Sequence, residues 1–422
     1  MRSPDRGTVH IIGAGLAGLA AAVRLAGSSR QVVLHEATAQ AGGRCRSYRD
    51  QGSGMLIDNG THLVLSGNGA VLSYVRTVGA ETALSMPAAA DYPFVDRADN
   101  SRWTLRFSDG RFPWWVFDKT QRAPQTGALD YLPFARLAWA ADRPIGALLA
   151  CAGPAYERVL KPFLLAALNI DPREGSARLA GAVIRETLAQ GGEACRPLLA
   201  RDGIGNVFVE PALRYLQERG VALAFGDELV ALRFSDRAVA QLDLTSGTVP
   251  LAGSDAVILA VPAYVAAAKV PGLKTPTAFR GIVNAHFRID PPAAMPPMLG
   301  VINGTCEWIF AHPGRVSVTI SDAGRLFDMP RAELAETIWR EVAALCELLG
   351  ALPPWQIVRE RRATFAATPE QNALRPGART QWDNLFLAGD WTATGLPATL
   401  EGAIRSGNRA AELTDQRLRA AS

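Results

Sequence analysis

Hydrophobic residues near the start of the chain follow the order strand, helix, strand. Apolar, β-branched runs at residues 9–12 and 31–35 flank an Ala- and Leu-rich stretch from residue 16 to about residue 26. Two short buried strands on either side of one helix are typical of a parallel βαβ unit. The pattern therefore predicts such a unit here.

Strand-like patterns disappear between about residues 75 and 200 and then return. The interrupting stretch is rich in aromatic residues and contains helical periodicity, for example at residues 156–168. Strands are predicted again at residues 221–225, 229–234, 239–244 and 256–261, then near Trp308 and at 316–320. A helix is predicted at 330–349, with Asp328 as N-cap and Gly350 as stop, and a strand, turn and helix at 385–411.

This alternation predicts an α/β protein with two domains. The predicted sheet domain comprises residues 1–75, 200–270 and 355–422, and the second, inserted domain comprises residues 76–199 and 271–354. The length of 422 residues agrees with more than one hydrophobic core.

Composition narrows the functional classes. The chain is 48% apolar and 20% charged, as in ordinary globular proteins. Its formal net charge is only +4, and no run of five like charges occurs, so we expect no nucleic-acid partner. Five scattered cysteines without a CxxC pair predict reduced thiols, no metal site and a cytoplasmic protein. We expect no membrane-spanning helix.

The glycine motif GAGLAG at residues 13–18 follows the first predicted strand and opens the first helix. In this context Gly13 permits a tight turn, Gly15 lets a pyrophosphate approach the backbone, and Gly18 lets helix and strand pack closely. Glu36 ends the second strand, where its carboxylate can accept hydrogen bonds from ribose hydroxyls. Together they predict a dinucleotide site, and a structural glycine turn is the alternative.

Two further segments carry the same type of chemistry. The sequence AGGRCRS at residues 41–47 places Arg44 beside two glycines, which suits a charged clamp on a pyrophosphate. Near the other end, LFLAGD at residues 385–390 ends in Gly389 and Asp390, and PATLEGA at residues 397–403 begins a predicted helix. An acid and a helix N-terminus there suit a ribityl hydroxyl and a reduced flavin ring. The alternatives are a surface turn and an ordinary capped helix.

These three segments together resemble the FAD-dependent amine oxidase and phytoene desaturase superfamily. The resemblance implies a Rossmann-like FAD-binding domain with an inserted α+β substrate-binding domain. It also implies FAD contacts at the motif positions and in their immediate surroundings: Gly13, Gly15, Ala17, Gly18, Glu36, Gly43, Arg44, Gly60, Thr61, Leu229, Gly389, Asp390, Thr399 and Leu400.

Within the superfamily the sequence is similar to the squalene-associated, desaturase-like branch, the hydroxysqualene dehydroxylases of bacterial hopanoid synthesis. The similarity rests on IDNGTH at residues 57–62, SGN at 66–68 and FPWW at 112–115. One departure is Thr61, because the residue before this histidine is often Gln in the branch. The resemblance implies that an allylic alcohol, hydroxysqualene, is reduced to squalene by hydride from reduced FAD.

Loss of hydroxide from an allylic alcohol needs a proton donor in a dry, apolar tunnel. We predict His62 as the donor, since an ordinary imidazole titrates near neutral pH, and Asp58 as the second choice. The alternative is a purely structural turn at Asp58–Gly60. Aromatic residues of the insertion are the candidate tunnel wall: Trp103, Trp114, Trp115, Phe117, Tyr131, Phe134, Trp139 and Phe163.

Three other functions stay open at this point. A carotenoid-type desaturase would act on the same class of oily substrate but in the oxidising direction. An amine oxidase usually has a lysine near the flavin. The chain contains few lysines, among them Lys119, Lys161 and Lys274, so the sequence supports an amine oxidase only weakly. A flavin-free prenyl-chain binder would share the fold but not need the intact phosphate and ribose elements.

The expected substrate is a hydrophobic isoprenoid, and the reductant of FAD is unknown. Because such a substrate partitions into lipid, we hypothesise a peripheral contact with the inner face of a membrane. Residues 111–122 mix Trp, Phe, Lys and Arg in a way that suits this contact.

Overall fold

The computed structural model describes residues 7–28 and 30–420. The first six residues and the last two of the predicted sheet domain, and Ser29, lie outside this description. The chain forms two main sheets, one entirely parallel and one mostly antiparallel. The first belongs to the predicted cofactor domain and the second to the inserted domain, so the α/β class is confirmed.

The parallel sheet has five strands in the spatial order Ala222–Phe225, Gln31–Glu36, Thr8–Ile12, Ala256–Leu259 and Leu385–Leu387. Helices Leu16–Leu25 and Leu400–Ala420 pack together over one face. An antiparallel three-stranded sheet covers the other face, with strands Leu229–Phe234, Val239–Leu244 and Gly247–Pro250. The strands are almost wholly apolar because both faces are covered.

The second sheet has seven strands in the spatial order Trp355–Phe365, Phe279–Phe287, Arg315–Ile320, Trp308–His312, Met298–Ile302, Ala90–Asp96 and Arg102–Phe107. Only the pair Met298–Ile302 and Ala90–Asp96 is parallel. Helix Arg331–Leu345 buries its apolar side against one face. An aromatic cluster covers part of the other face.

One strand pairing does not follow the predicted division of the chain. Strand Trp355–Phe365 pairs with Phe279–Phe287 in the second sheet, although residue 355 was the predicted start of a cofactor-domain segment. The predicted helix at 330–349 also ends early, at Leu345. Its N-cap is Pro330 rather than Asp328, and Glu347 adopts a left-handed conformation that stops the helix before Gly350.

Shorter elements connect the sheets. Small antiparallel pairings join Ser47–Arg49 to Leu56–Asp58, and join both Val64–Leu65 and Leu84–Ser85 to Pro197–Ala200. The remaining α-helices are Gly69–Thr77, Lys161–Leu168, Ala177–Glu186, Gly205–Phe208, Glu210–Glu218, Ala263–Lys269 and Pro369–Ala373. The insertion contains 3-10 segments Trp114–Phe117, Ala128–Trp139 and Ile145–Ala147 and a π-helical turn Tyr156–Leu160. Shorter 3-10 turns are Glu81–Ala83, Leu188–Gln190, Gly192–Ala194 and Ala323–Leu326.

Residues 7–28 and 30–420 bear on the expectations about membrane-spanning helices, metal sites and thiols. None of the helices described there is both long and apolar enough to cross a membrane. The same residues contain no cluster of three or more His, Cys, Asp or Glu side chains that could hold a metal ion. All five cysteines lie within this part of the chain as free thiols.

Candidate cofactor and active site

The glycine turn after strand Thr8–Ile12 is shaped by its neighbours. Gly13 has φ +103°, and a Cβ there would lie 2.7 Å from the carbonyl oxygen of Ala260. A Cβ on Gly18 would lie 1.9 Å from the carbonyl oxygen of Gly13, so only glycine permits this helix to start so close to the strand. Gly15 is different, because a Cβ there would meet no atom within 4 Å. Its backbone therefore faces open space at a helix N-terminus, as a bound pyrophosphate requires.

Glu36 lies at the mouth of the same turn. Its carboxylate accepts hydrogen bonds from the backbone N–H of Ala14 at 2.8 Å and of Thr38 at 3.0 Å. A carboxylate has about four lone-pair positions, so acceptor capacity is left for ribose hydroxyls. Ala17 is buried in the helix and contributes through its packing.

The second glycine segment lies directly against the first. Gly15 and Gly42 form an isolated parallel bridge, and a Cβ on Gly43 would lie 3.5 Å from the Cα of Gly15. The Arg44 guanidinium pairs with the Asp390 carboxylate at 2.7 Å and donates to the carbonyl of Ala363. Asp390 raises the pKa of Arg44, and the arginine side chain is still 42% exposed. A fixed cation thus faces the cleft.

The third segment follows strand Leu385–Leu387. The N–H of Gly389 donates to the Ser406 hydroxyl at 2.8 Å, which fixes the turn to the C-terminal helix. The Thr399 hydroxyl accepts from the N–H of Gly402 at 3.1 Å, so the helix beginning at Leu400 is capped beside Asp390. Two segments near the start of the chain and one near its end, with Arg44 and Asp390 346 residues apart, therefore meet at one cleft.

Leu229 occupies a different position from these residues. Its side chain is buried in the apolar core beneath the parallel sheet. The strand that it begins is tied to the ribose end of the cleft, because the N–H of Asp227 donates to the carbonyl of Glu36 at 2.9 Å. Contact between Leu229 and the adenine stays a prediction.

His62 and Thr61 lie in the loop that follows strand Leu56–Asp58. A Cβ on Gly60 would lie 3.7 Å from the His62 Nε2 atom, so His62 folds back over this turn. Burial lowers the pKa of His62 to about 4, with Asp58 and Asp390 opposing the shift and Arg44 adding to it. The expectation of an unshifted imidazole is therefore wrong for the protein alone. The buried Thr61 hydroxyl has no hydrogen-bond partner and is available to a ligand.

Asp58 is only 1% exposed and is surrounded by protein groups. Its Oδ1 atom accepts from the Ser47 hydroxyl at 2.5 Å and from the N–H of Ile204 at 3.0 Å. Its Oδ2 atom lies 3.6 Å from the buried Arg315 guanidinium. This carboxylate joins three chain segments, which favours a structural role over proton transfer.

The residues present fit FAD. Gly15 offers an open backbone face, Arg44 a cation for the pyrophosphate, Glu36 an acceptor for ribose, and Thr61 an unpaired hydroxyl further along the cleft. Reasoning from sequence missed two polar residues beneath the loop at Asp58–His62, Asn284 and His286. They lie within an apolar strand, and nothing in the local pattern marks them.

The lysines lie outside this site. Lys161 pairs with Glu157 at 2.6 Å, and Lys119 and Lys274 are exposed. A fourth lysine, Lys269, donates to the carbonyl of Val230 at 2.6 Å. The cleft accordingly has no lysine from the four in the chain, all of which the structure describes.

The aromatic residues of the insertion divide into two groups. Trp103, Trp115, Tyr131 and Phe163 join an interior cluster that also contains Phe94 and Trp308. Trp114, Phe117 and Trp139 are instead 64%, 59% and 81% exposed, so they do not line an internal tunnel. Phe134 is partly buried at the edge of the cluster.

Comparison with known proteins agrees with the cofactor geometry. A family model described as flavin-containing amine oxidoreductase matches residues 16–414. Two hydroxysqualene dehydroxylases, from Rhodopseudomonas palustris and Sinorhizobium fredii, are each 56% identical to this chain. Each alignment covers 96% of this chain, and 98% and 97% of the respective relative.

More distant proteins share the fold. A protein named "Probable zeta-carotene desaturase" from Synechococcus elongatus is 24% identical over 96% of this chain and 98% of its own. The solved structure of cyclohexylamine oxidase from Brevibacterium oxydans superposes with a TM-score of 0.69 at 14% identity, covering 98% of this chain and 99% of that one.

Proposed function

Since this chain belongs to the flavin-containing amine oxidoreductase family, we propose that it is an FAD-dependent oxidoreductase that reduces hydroxysqualene to squalene. The observation that carries the proposal is 56% identity, over nearly the full length of both chains, to two hydroxysqualene dehydroxylases. The carotenoid desaturase alternative has support only at 24% identity. The cleft geometry supports the cofactor.

The reaction breaks the C–O bond of an allylic alcohol, forms a C–H bond and releases water. Reduced FAD, when bound, supplies the hydride and is oxidised. Gly15, Glu36 and Arg44 would hold the cofactor, and the loop at Gly60–His62 would lie beside it. The apolar aromatic cluster at Phe94, Phe163 and Trp308 excludes water from the substrate side, which limits side reactions of a cationic allylic group.

His62 is the proposed proton donor to the leaving hydroxyl. In the protein alone its pKa of about 4 leaves it neutral at pH 7. The negative charges of a bound cofactor would favour the protonated ring and raise that pKa toward neutral. Asp58 has its oxygens committed to Ser47, Ile204 and Arg315, so His62 is preferred.

The test is product analysis with purified holoprotein. We expect a visible flavin spectrum and, after anaerobic reduction with dithionite, conversion of hydroxysqualene to squalene. The His62→Gln variant should retain FAD but lose about 10²- to 10⁴-fold in kcat, the usual worth of a general acid. Oxidation of phytoene without reduction of hydroxysqualene would identify a desaturase instead. If the purified protein takes up no flavin, the result would support the flavin-free prenyl-chain binder instead.

We also propose that the protein collects its substrate from a membrane. Exposed apolar side chains lie at Phe112 and on two 3-10 segments that contact each other, Trp114–Phe117 and Ala128–Trp139; together they are here called the aromatic surface. Its members are Phe112, Trp114, Phe117, Leu129, Leu132 and Trp139. The rings of Phe112 and Trp114 lie 4.3 Å apart. Arg111 and Lys119, which flank the first segment in sequence, and Arg136 in the second are exposed.

The aromatic surface connects to the interior through consecutive tryptophans. Trp114 is exposed, whereas Trp115 contacts Phe107 at 5.1 Å and Tyr131 at 4.9 Å between ring centroids. A 3-10 helix has three residues per turn, so Tyr131 faces inward while Leu129 and Leu132 face outward. Apolar rings edged by cations suit an anionic lipid surface.

Sedimentation with phosphatidylglycerol-containing vesicles tests this contact. Trp114→Ala should weaken vesicle binding about 10-fold, the worth of roughly 1.4 kcal/mol of buried apolar area. Leu349→Ala removes an even more exposed apolar side chain outside the aromatic surface and should leave binding unchanged. Equal binding by wild type and Trp114→Ala would contradict the proposal, as would binding that is indifferent to lipid charge.

A further inference from the structure

Two polar residues on strand Phe279–Phe287 lie directly beneath the loop that carries His62. Asn284 is 1% exposed and His286 is fully buried. They are two residues apart, so they point to the same face of the sheet, while Val283, Ala285 and Phe287 point to the apolar core under helix Arg331–Leu345. Buried polar side chains in an otherwise apolar strand require partners.

Each of the two has one partner across the sheet and one in the loop. Asn284 lies opposite Thr319, and His286 lies opposite Ser317. The Thr319 hydroxyl donates to the Asn284 Oδ1 atom at 2.8 Å, and the Asn284 Nδ2 atom donates to the carbonyl of Asn59 at 3.3 Å. His286 contacts the Ser317 hydroxyl at 2.9 Å through Nδ1 and the carbonyl of Asp58 at 3.1 Å through Nε2.

The direction of these hydrogen bonds is fixed by the acceptors. A carbonyl oxygen can only accept, so His286 donates from Nε2 and accepts from Ser317 at Nδ1. Burial, with the nearby Arg315 cation adding to it, lowers the pKa of His286 to about 3, which keeps this neutral form. Each of these two chains of hydrogen bonds, here called rungs, therefore runs from a hydroxyl through a side chain to a loop carbonyl. The donor and the acceptor of every hydrogen bond in both rungs are defined.

The rungs end at the backbone of the loop that carries His62. They hold the carbonyls of Asp58 and Asn59, and the next three residues are Gly60, Thr61 and His62. A Cβ on Gly60 would lie 3.4 Å from the Asn284 Nδ2 atom and 3.7 Å from the His62 Nε2 atom. The turn thus lies between the sheet and the histidine, at ordinary van der Waals distance from both.

We propose that Asn284 and His286 are positioning residues, which set the height of the Asp58–His62 loop against the cofactor and so place His62 for proton transfer. The proposal rests on the proposed function of His62. A misplacement of about 1 Å at a reacting group can cost 10²-fold in rate. The gain in rate from a loop held by two rungs therefore outweighs the cost of burying two polar side chains.

A matched pair of substitutions tests the second rung. In His286→Gln the side-chain amide extends to the position of Nε2, so it can accept from Ser317 and donate to Asp58. His286→Asn carries the same amide, one methylene shorter, and cannot reach the carbonyl. We expect His286→Asn to lower kcat about 10- to 100-fold with little change in KM, and His286→Gln to recover most of that loss.

Visible circular dichroism of the bound flavin gives a readout without turnover. We expect an altered spectrum for His286→Asn and a nearly native spectrum for His286→Gln, both with full FAD content. His312→Asn is the control, because it makes the same change at another buried histidine of this sheet that has no bond to the loop. It should lower the melting temperature and leave the flavin spectrum unchanged.

Thr319→Val tests the first rung if the His286 variants fail to fold, because it removes only the hydroxyl behind Asn284. It should give a smaller loss in kcat and a smaller change in dichroism. Native dichroism and native kcat in both His286→Asn and Thr319→Val would overturn the proposal. So would equal losses in His286→Asn and His286→Gln. Inactivity of the wild type on hydroxysqualene, with these dichroism changes present, would contradict only the proposed function.

Discussion

At the scale of single residues, we expect His62 to couple proton binding to cofactor binding. Its pKa is about 4 in the protein alone, and in the proposed site a bound dinucleotide would bring negative charge close to it. If the pKa rises on binding, FAD binding takes up a proton and becomes tighter as the pH falls, over the window between the free and bound pKa values. At pH values above the pKa of His62 in the FAD complex, the affinity for FAD should not depend on His62.

Fluorescence titration with FAD between pH 5 and pH 8 measures this coupling. We expect the Kd to rise with pH by up to tenfold per unit in the window, the limit for one proton. His62→Gln removes the titrating group and should flatten the dependence while leaving the protein able to bind FAD. A slope that is the same in both proteins would show that another group takes up the proton.

Asp58 makes a different prediction, because its carboxylate balances a buried cation. Arg315 is 6% exposed, and burial lowers its pKa while Asp58 opposes that shift. Asp58→Asn keeps the shape but leaves the guanidinium without a counter-charge, which should cost about 3 kcal/mol of unfolding free energy. Asp91→Asn, at the exposed pair with Arg106, should cost less than about 1 kcal/mol.

Chemical denaturation of the two variants without FAD decides between the roles of Asp58. A large stability loss confined to Asp58→Asn supports its structural role. A variant that is as stable as wild type but inactive would return Asp58 to the list of proton donors.

At the scale of elements, local patterns predicted the five strands of the parallel sheet, whereas many strands of the second sheet, which depend on long-range partners, were missed. Strands Leu229–Phe234 and Val239–Leu244 were found at their predicted bounds because both are largely apolar runs bounded by turn residues. Strand Trp355–Phe365 was not predicted, and its residues were assigned to the cofactor domain, since its partner Phe279–Phe287 lies about 70 residues earlier. Strand pairing at such separation leaves no mark in the local sequence.

The site shows the same limit. The glycines and Arg44 were recognisable because their spacing is set by backbone geometry within one segment. Asn284 and His286 were not, because their roles depend on Thr319 and Ser317 in another strand and on carbonyls more than 220 residues away. The shift in the pKa of His62 was also out of reach, since burial is a property of the folded chain.

One element depends on a residue from the far end of the chain. Helix Gly69–Thr77 has no side-chain cap of its own, and its first N–H groups, at Ala70 and Val71, donate to the Glu401 carboxylate at 3.0 and 2.9 Å. A buried carboxylate at a helix N-terminus satisfies two otherwise unpaired donors and the helix dipole. Glu401 also pairs with Arg405.

We expect Glu401→Gln to lower the unfolding free energy by about 1 to 3 kcal/mol, since the charge is lost and one oxygen is replaced by a donor facing N–H groups. Compared with the wild type, the rate of amide hydrogen exchange in this variant should increase most in helix Gly69–Thr77. Glu412→Gln, in the same C-terminal helix but exposed, serves as control and should change little. Uniform exchange across the protein would argue against a local capping role.

At the scale of the whole molecule, we expect histidines with lowered pKa values to govern acid stability. Burial lowers the pKa of His10 and His62 to about 4, and that of His286 and His312 to about 3. Unfolded histidine titrates near pH 6.5, so below that pH the unfolded chain binds more protons than the folded one. Stability should therefore be complete above about pH 6.5 and fall as the pH drops toward 4.

Each such histidine contributes a slope of up to about 1.4 kcal/mol per pH unit. Urea denaturation of the FAD-free protein at several pH values from 7.5 to 5 should show this loss. His312→Phe replaces a buried ring whose Nε2 atom has no partner, so the slope should decrease by one histidine's share. Lys119→Ala, at an exposed cation, should keep the full slope. Parallel curves for wild type and His312→Phe would contradict the burial of a neutral His312, because an imidazole that titrates normally in the folded protein adds no pH dependence.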